Sequence, residues 1–573
     1  MSERNVVPML KTMSARLGRI VAGTLLITCS YGVSAQGPYA GKIGVEVSER
    51  PTGFRDAFKH QGRLFLTTAF SGTAPHDSNG WPTTDGIAVV FDNRPYLAWN
   101  PPEDDPDGVQ PDCSGDYLMI FTGQATLTPG PESSYLTISF QSYNPATNET
   151  RAHVNLPAGQ PSLMEIKFTD TQRTPGALNT GITNLQVYRP GLNPKFNEPT
   201  SPFDPAFITA LSPFAYLRFM GWGGTNYSAG YYGDTGHHLI NWADRSLPTD
   251  AYQGMGTAVR AGATGVSWEY VILLANEANK DVWINIPVSA TGSSPTDTTS
   301  YIYQLALLLK NGNAFTGNAG LKPGLHIYIE HSNEVWNSSF SQYTWNRLAA
   351  VDEVGQGGSP LNNDGNTVQL TWAYRRHAKR LYEIAKIFEA VYGSGSLNTT
   401  IRPVYAWWNL QEAANSTGAK TLEWMQTTYG PPSNYFYAMA QGSYFTDTSP
   451  STTTTIPDVL NNMSLASDAT AARTVQNKAT ANLYGLKLFA YEGGPDNHGT
   501  VNIGVQIRAN RDLGMGPLVE HHIADNWFAQ GGDMFGYFVL SGTSSRNGSY
   551  GATEDYRILT TPKYEALMEL LGH

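Results

Sequence analysis

The chain has 573 residues, of which 15% are charged and 12% aromatic, with 57 Gly and 35 Pro; this excludes a disordered or coiled-coil protein and leaves room for one barrel-sized domain and a partner. Acidic residues outnumber basic ones 48 to 37, for a formal charge of −11. With no long run of Lys or Arg, the electrostatic footprint of a nucleic-acid binder is missing, and a neutral, hydroxyl-rich ligand fits better.

Arg4, Lys11, Arg16 and Arg19 precede an apolar stretch from Ile20 to Thr28 and the small-residue run Val33-Ser34-Ala35, which reads as a signal peptide cut after Ala35. Its removal takes away four basic residues and one acidic one, leaving 33 against 47. A lipoprotein signal acylated at Cys29 is the competing reading, disfavoured because Thr28 stands where a smaller residue is usual. The expected location is periplasmic or secreted. Cys113 alone remains after cleavage, so no intramolecular disulfide is expected. No further apolar stretch approaches the ~20 residues that span a bilayer, so the mature chain is expected to be a soluble monomer without membrane contact.

From residue 36 to 181 short alternating runs are separated by Pro, Gly, Asn and Asp: Arg63–Thr68, Ile87–Asp92, Tyr117–Thr122, Tyr135–Ser142 and Met164–Phe168. This predicts an antiparallel β-sandwich, a candidate carbohydrate-binding module with Trp81, Tyr96 and Trp99 in Pro-rich loops. Core or domain-interface packing is the competing use of these three. The acidic stretch with Glu103, Asp104, Asp105, Asp107, Asp112 and Asp116 reads as a solvated turn in preference to a calcium loop, because its spacing matches no EF-hand.

From residue 182 to 573 strands alternate with helices. The predicted strands are Ile182–Arg189, Ala215–Met220, Asp281–Pro287, Leu325–Glu330, Arg402–Trp407, Tyr435–Gln441, Leu486–Tyr491 and Met534–Leu540. Intervening helices are read at Pro205–Leu211, Trp268–Asn279, Tyr301–Lys310, Leu370–Val391, Thr421–Thr428, Ala471–Leu483 and Val505–Ala529, with Lys563–Leu571 closing the set. Eight strand-then-helix units predict an α/β fold, a (β/α)8 TIM barrel preceded by the sandwich. An open doubly wound sheet is disfavoured because no Gly-rich phosphate loop follows a strand.

Reactive groups of such a barrel stand beyond the C-terminal strand ends. Two glutamates do so: Glu334 in His331-Ser332-Asn333-Glu334-Val335-Trp336-Asn337 after strand four, and Glu492 in Tyr491-Glu492-Gly493-Gly494 at the end of strand seven. Glycoside hydrolysis needs such a pair, one carboxylic acid to protonate the departing oxygen and one carboxylate to attack the anomeric carbon or to activate water. Aromatics in predicted post-strand loops, Trp222, Trp336, Trp407 and Trp408 with Tyr227 and Tyr231, are placed to stack on a sugar face. Trp283, inside a strand, reads as packed behind the barrel. His498 is a subsite candidate as well as a plain loop histidine. His237-His238 and His521-His522 are not read as metal ligands, since adjacent side chains diverge; no metal or cofactor is expected.

On these residues the chain resembles a clan of retaining TIM-barrel glycoside hydrolases that includes cellulase-like and mannanase-like enzymes. In that clan an Asn-Glu pair after strand four carries the acid/base, a Glu after strand seven is the nucleophile, an Arg ends strand two beside it, and a strand-six Tyr bonds it. The resemblance implies these roles for Asn333-Glu334, Glu492, Arg218 and Tyr444. Arg218 would favour the ionised, nucleophilic form of Glu492, while apolar neighbours and a nearby negative charge would keep Glu334 protonated. The Asn333 amide is then available to the sugar 2-hydroxyl. Strand eight departs from the clan, reading Tyr537-Phe538-Val539-Leu540-Ser541 where a sugar-stacking Trp is usual. The expected function is secreted hydrolysis of a β-linked polysaccharide, cellulose-like β-glucan first, with mannan, xylan and bacterial exopolysaccharide open. The alternative is a non-catalytic polysaccharide-binding or matrix protein on a barrel scaffold; an inverting hydrolase or a metal-dependent lyase ranks third.

Overall fold

The computed structural model describes residues 37–48, 53–60, 65–68, 71–95, 97–98, 100–106, 108, 111–194, 201–227, 239–254, 265–408 and 417–573. The signal segment, Tyr96, Trp99, Asp107, Tyr231, His237 and His238, together with the side chain of Tyr227, lie outside the described residues. Among the described residues no helix is long and apolar enough to cross a membrane, and no group of three or more His, Cys, Asp or Glu is placed to hold a metal ion.

Eight parallel strands close into a barrel in sequence order: Ile43–Glu46, Tyr216–Arg218, Asp281–Ile286, Ile327–His331, Ile401–Ala406, Ala438–Phe445, Lys487–Pro495 and Met534–Tyr537. They are called strands one to eight below. Covered by helices outside and by side chains inside, they read as near-continuous apolar runs such as Ile-Tyr-Ile-Glu-His, every residue of which is buried. The helices end where local chemistry stops them. Asp204 accepts from the Ala206 amide before Pro205–Leu211. Asn279 closes Trp268–Ala278 in the left-handed conformation. Thr455 caps Ile456–Leu483, which starts fifteen residues before the predicted Ala471. The predicted helix Val505–Ala529 is broken at Asp512-Leu513-Gly514 into Ile503–Arg511 and Met515–Ile523, the second continuing as a π-helical turn over Ala524–Phe528.

The fold class holds, but strand one lies elsewhere. Thr183–Tyr188, inside the predicted first strand, pairs antiparallel with Gly115–Thr122. Its half-buried alternation is that of an antiparallel sheet with one wet face. The barrel is closed instead by Ile43–Glu46, which pairs with strand two on one side and strand eight on the other. The sandwich therefore interrupts the barrel between strands one and two, and the boundary at 181/182 fails.

The inserted sheets have the orders Ser71–Thr73, Leu66–Thr68, Gly86–Asp92, Leu163–Gln172, Gln124–Pro129 and Thr183–Tyr188, Gly115–Thr122, Glu149–Leu156, Thr137–Asn144. Both sheets feed one core through residues such as Val90, Met119, Phe121, Val154, Ile166 and Val187. Ala251 and Tyr252, from the segment after strand two, enter that same core. Trp81 is buried there against Phe58, its Nε1 donating to the Thr249 carbonyl at 3.2 Å; it packs where the sandwich meets the barrel chain. Within the acidic stretch Glu103, Asp112 and Asp116 are exposed, as a solvated turn requires, but Asp104 and Asp105 are not. Asp104 pairs with Arg546 and Asp105 with Arg511, both on the barrel.

Candidate active site

Period-two alternation sends every second residue of a barrel strand inward. Gly44 and Glu46 of strand one, Tyr216 and Arg218 of strand two, and Tyr328 and Glu330 of strand four therefore line the interior, the first of each pair one layer deeper. A Cβ at Gly44 would meet the Tyr216 ring at 2.3 Å, so only glycine fits beneath that tyrosine. Trp283 corrects its predicted place: it fills the barrel interior beside Tyr216, Tyr328 and Phe489, and donates to Glu330 Oε2 at 3.0 Å.

Arg218, fully buried, sits above this layer. Its Nη1 donates to Glu492 Oε1 and to Glu46 Oε2 at 3.2 Å; its Nη2 donates to Glu330 Oε2 and Asn333 Oδ1, each at 3.0 Å. Burial opposes its charge, but Glu330, Glu492 and Glu46 together hold its proton more firmly than usual. One guanidinium cannot match three buried carboxylates, and the imbalance appears on the acids. Burial pushes Glu46 up to about 8 against the pull of Arg218, and burial likewise raises Glu330.

Glu492 is held from its other side by the Tyr444 hydroxyl, which donates to Oε2 at 2.8 Å. Strand six runs to Phe445, so Tyr444 lies inside it. The pairing of strands six and seven slips between Gln441 and Gly442, opposite Ala490 and Glu492 respectively, leaving Tyr491 as the extra residue of a bulge. In a regular strand Tyr491 and Glu492 would face opposite sides. Here both reach the same mouth: the Tyr491 hydroxyl donates to Glu334 Oε1 at 2.7 Å, and the Arg218 guanidinium lies 5.4 Å from the Tyr491 ring centroid.

Glu334 leaves strand four through two left-handed residues, Ser332 at φ 59° and Glu334 itself at φ 43°. Such backbone is costly for side chains other than glycine and is concentrated at sites whose geometry is tightly held. Asn337 Nδ2 donates to Glu334 Oε2 at 2.8 Å, closing the turn. Burial first, then the Glu492 charge, raises Glu334 above the ordinary carboxylate range, against the opposing bonds from Asn337 and Tyr491. Asn333 donates from Nδ2 to Asn226 Oδ1 at 3.0 Å, and Gln342 ties Asn226 to the Asn333 carbonyl.

Five of the sequence-derived residues, Arg218, Asn333, Glu334, Tyr444 and Glu492, thus meet in one network. Trp336 and Trp407 support it as buried packing, with ring centroids 5.4 Å apart and Trp336 6.2 Å from Tyr491. Trp222 does not join them: it is wholly buried among the rings of Phe54, Phe203, Phe207 and Phe219. Trp408 is 41% exposed at the end of strand five. His498 is exposed and bonds Asp496. Where a Trp was missing at strand eight, Phe538 packs at the mouth with Tyr550, 5.3 Å between centroids, and both rings approach Tyr444. Glu46, Glu330, Tyr491, Asn337 and Tyr550 escaped the sequence reading. Only Glu330 and Tyr491 carried a signal, through alternation within strand four and adjacency to Glu492.

No protein-family model matches the chain, and no curated protein matches it. Among solved structures it is similar to an alpha-L-arabinofuranosidase from Thermotoga maritima in an arabinose complex, at 13% identity and a TM-score of 0.37, over 66% of this chain and 66% of that one. The chain thus spans just under two thirds of that protein's length. A family 51 alpha-L-arabinofuranosidase from Bifidobacterium longum is similar at 12% identity and a TM-score of 0.36, over 64% of this chain and 67% of that one.

Proposed function

We propose that this protein is a secreted retaining glycoside hydrolase acting on a β-linked polysaccharide, a cellulose-like β-glucan in the first instance. One observation carries the reading: two carboxyl groups share the mouth of a barrel in opposite settings. Glu492 is gripped by a buried guanidinium and a tyrosine hydroxyl, while Glu334 is driven towards its protonated form by burial and by Glu492 itself. In the proposed mechanism Glu334 donates its proton to the departing glycosidic oxygen as Glu492 attacks the anomeric carbon. Water, deprotonated by Glu334, then releases the sugar from Glu492 with net retention. Arg218 and Tyr444 hold the nucleophile's oxygens in place. Asn333, fixed by Arg218 and Asn226, presents its amide to the 2-hydroxyl, a bond that strengthens in the oxocarbenium-like transition state. Phe538 and Tyr550 take the part of the missing strand-eight Trp as the apolar face beside the reacting sugar. No metal or cofactor enters this scheme.

The test is a hydrolysis screen of purified β-glycans and an α-L-arabinofuranoside, with reducing-end release measured for wild type and Glu492→Gln. Turnover by the wild type, lost in the variant, supports the reading. Retardation in glycan affinity gels without turnover of any substrate would establish the non-catalytic binding protein instead.

A further inference from the structure

We propose that the acidic loop of the sandwich is a positioning element of the cleft: Asp104 and Asp105, clamped to Arg546 and Arg511, hold the loop after strand eight so that Tyr550 walls the reacting-sugar position. The sugar in this statement rests on the glycosidase reading; the clamp does not.

Both contacts are bidentate. Arg546 reaches the Asp104 oxygens through Nε and Nη2, at 2.5 and 3.2 Å. Arg511 reaches Asp105 through Nη1 and Nη2, at 2.7 and 2.8 Å, and grips Glu554 with its Nε and Nη2 at 2.7 and 2.9 Å. Isolated surface ion pairs contribute little, but two-pronged guanidinium contacts joined in a network fix geometry as well as charge. The side chains of Asp104 and Asp105 are only 12% and 11% exposed. The docking is also close-packed: a Cβ at Gly504 would stand 2.5 Å from the Asp104 carbonyl oxygen.

The clamp grips the loop near both its ends, since Glu554 also accepts from the Ser544 amide at 2.9 Å. Arg546 lies in a tight turn closed by reciprocal bonds between Ser545 and Gly548 at 2.9 and 3.0 Å. Gly548 has φ 137°, and a Cβ there would meet the Tyr550 ring at 2.0 Å, so the turn lies directly on that ring. The ring in turn packs on Phe538 and Tyr444, whose hydroxyl bonds Glu492. The Arg546 carbonyl accepts from Gly499 at 2.8 Å, which ties the strand-seven loop to the same point. An insertion more than 400 residues away in sequence from Arg511 and Arg546 thereby reaches the nucleophile through one loop.

The test uses the full chain carrying Asp104→Asn with Asp105→Asn. Amide exchange over residues 544–556 should rise about tenfold while strands three to five stay protected. On a substrate that the wild type hydrolyses, KM should rise about three- to tenfold with kcat within about twofold, the pattern of lost uniform binding. The Asp104→Glu, Asp105→Glu protein, which keeps both charges, should recover most of each effect. If the double Asn variant does not fold, Arg546→Gln is read in the same two ways. Unchanged exchange over 544–556 would show that the clamp holds nothing. Raised exchange with KM and kcat both unchanged would show that the loop does not wall the site. Absence of any hydrolysis by the wild type would overturn the glycosidase reading, and exchange would still decide the clamp.

Discussion

At Arg218 three carboxylates share one positive charge, and the buried excess makes a pH-dependent contribution to stability. Glu46 binds its proton far more tightly folded than unfolded, its value moving from 4.5 to about 8. Its stabilising contribution is complete below the unfolded value and is lost as pH rises through the folded one. Denaturant midpoints of wild type and Glu46→Gln should therefore diverge between pH 4.5 and 8, with the variant relatively more stable at the alkaline end; parallel curves would refute this. Glu330 and Glu334, also raised, are present in both proteins. A second residue-level expectation concerns Tyr491, whose hydroxyl bond favours ionised Glu334. Activity needs Glu334 protonated, so it should fall as pH rises through that group's raised value. Tyr491→Phe should shift this alkaline limb to higher pH, and a limb that stays in place would remove Tyr491 from the acid's surroundings.

Among the elements, strand seven does most to build the site. Its bulge puts two consecutive side chains into one mouth, and Gly493 lets it approach strand six. A Cβ at Gly493 would stand 2.5 Å from the Ser443 carbonyl oxygen and 2.6 Å from the Phe535 ring. Gly493→Ala should cost about 1–3 kcal/mol by overpacking, read from denaturant midpoints, and should lower activity by displacing Glu492; a neutral substitution would contradict the packing. Strands two to eight were legible in the sequence because strands covered on both faces leave continuous apolar runs bounded by helical periodicity. Strand one was not. Ile43–Glu46 is four residues long and borders a strand-rich segment, whereas Ile182–Arg189 offers a longer alternating run. With strand one misplaced, Glu46 went unseen. The shared mouth of Glu334 and Glu492 was readable from their strand ends, whereas Arg218 and Tyr444 entered through the clan resemblance, Tyr444 lying beyond the predicted end of strand six at Gln441. The bulge at Tyr491, the left-handed Ser332 and Glu334, and Tyr550 were not, because each depends on a register or a turn that no local pattern encodes. Trp222 shows the converse: a post-strand position says where a residue lies in the chain, and burial decides what it does.

For the whole molecule, an insertion between strands one and two means that neither segment of a cut at 181/182 can close its own fold. Residues 36–181 would carry strand one away from the barrel and leave the sandwich without Thr183–Tyr188, Ala251 and Tyr252. Expressed separately, the two pieces should be unfolded or aggregated, while the full chain should unfold in one transition by circular dichroism and tryptophan fluorescence alike. Two separated transitions, or a folded 36–181 fragment, would count against a shared core. The functional claim rests on distinct roles for Glu334 and Glu492 within this one unit. Its most direct test is Glu334→Ala with azide on an activated aryl glycoside, the product followed by NMR. Removing a general acid costs about 10²–10⁴-fold on substrates whose leaving group needs protonation, but not the first step on an activated one. The expected outcome is a burst, slow turnover, and azide acceleration yielding a glycosyl azide of retained configuration; no burst with no azide rescue, or an azide product of inverted configuration, would rule out Glu334 as the acid/base.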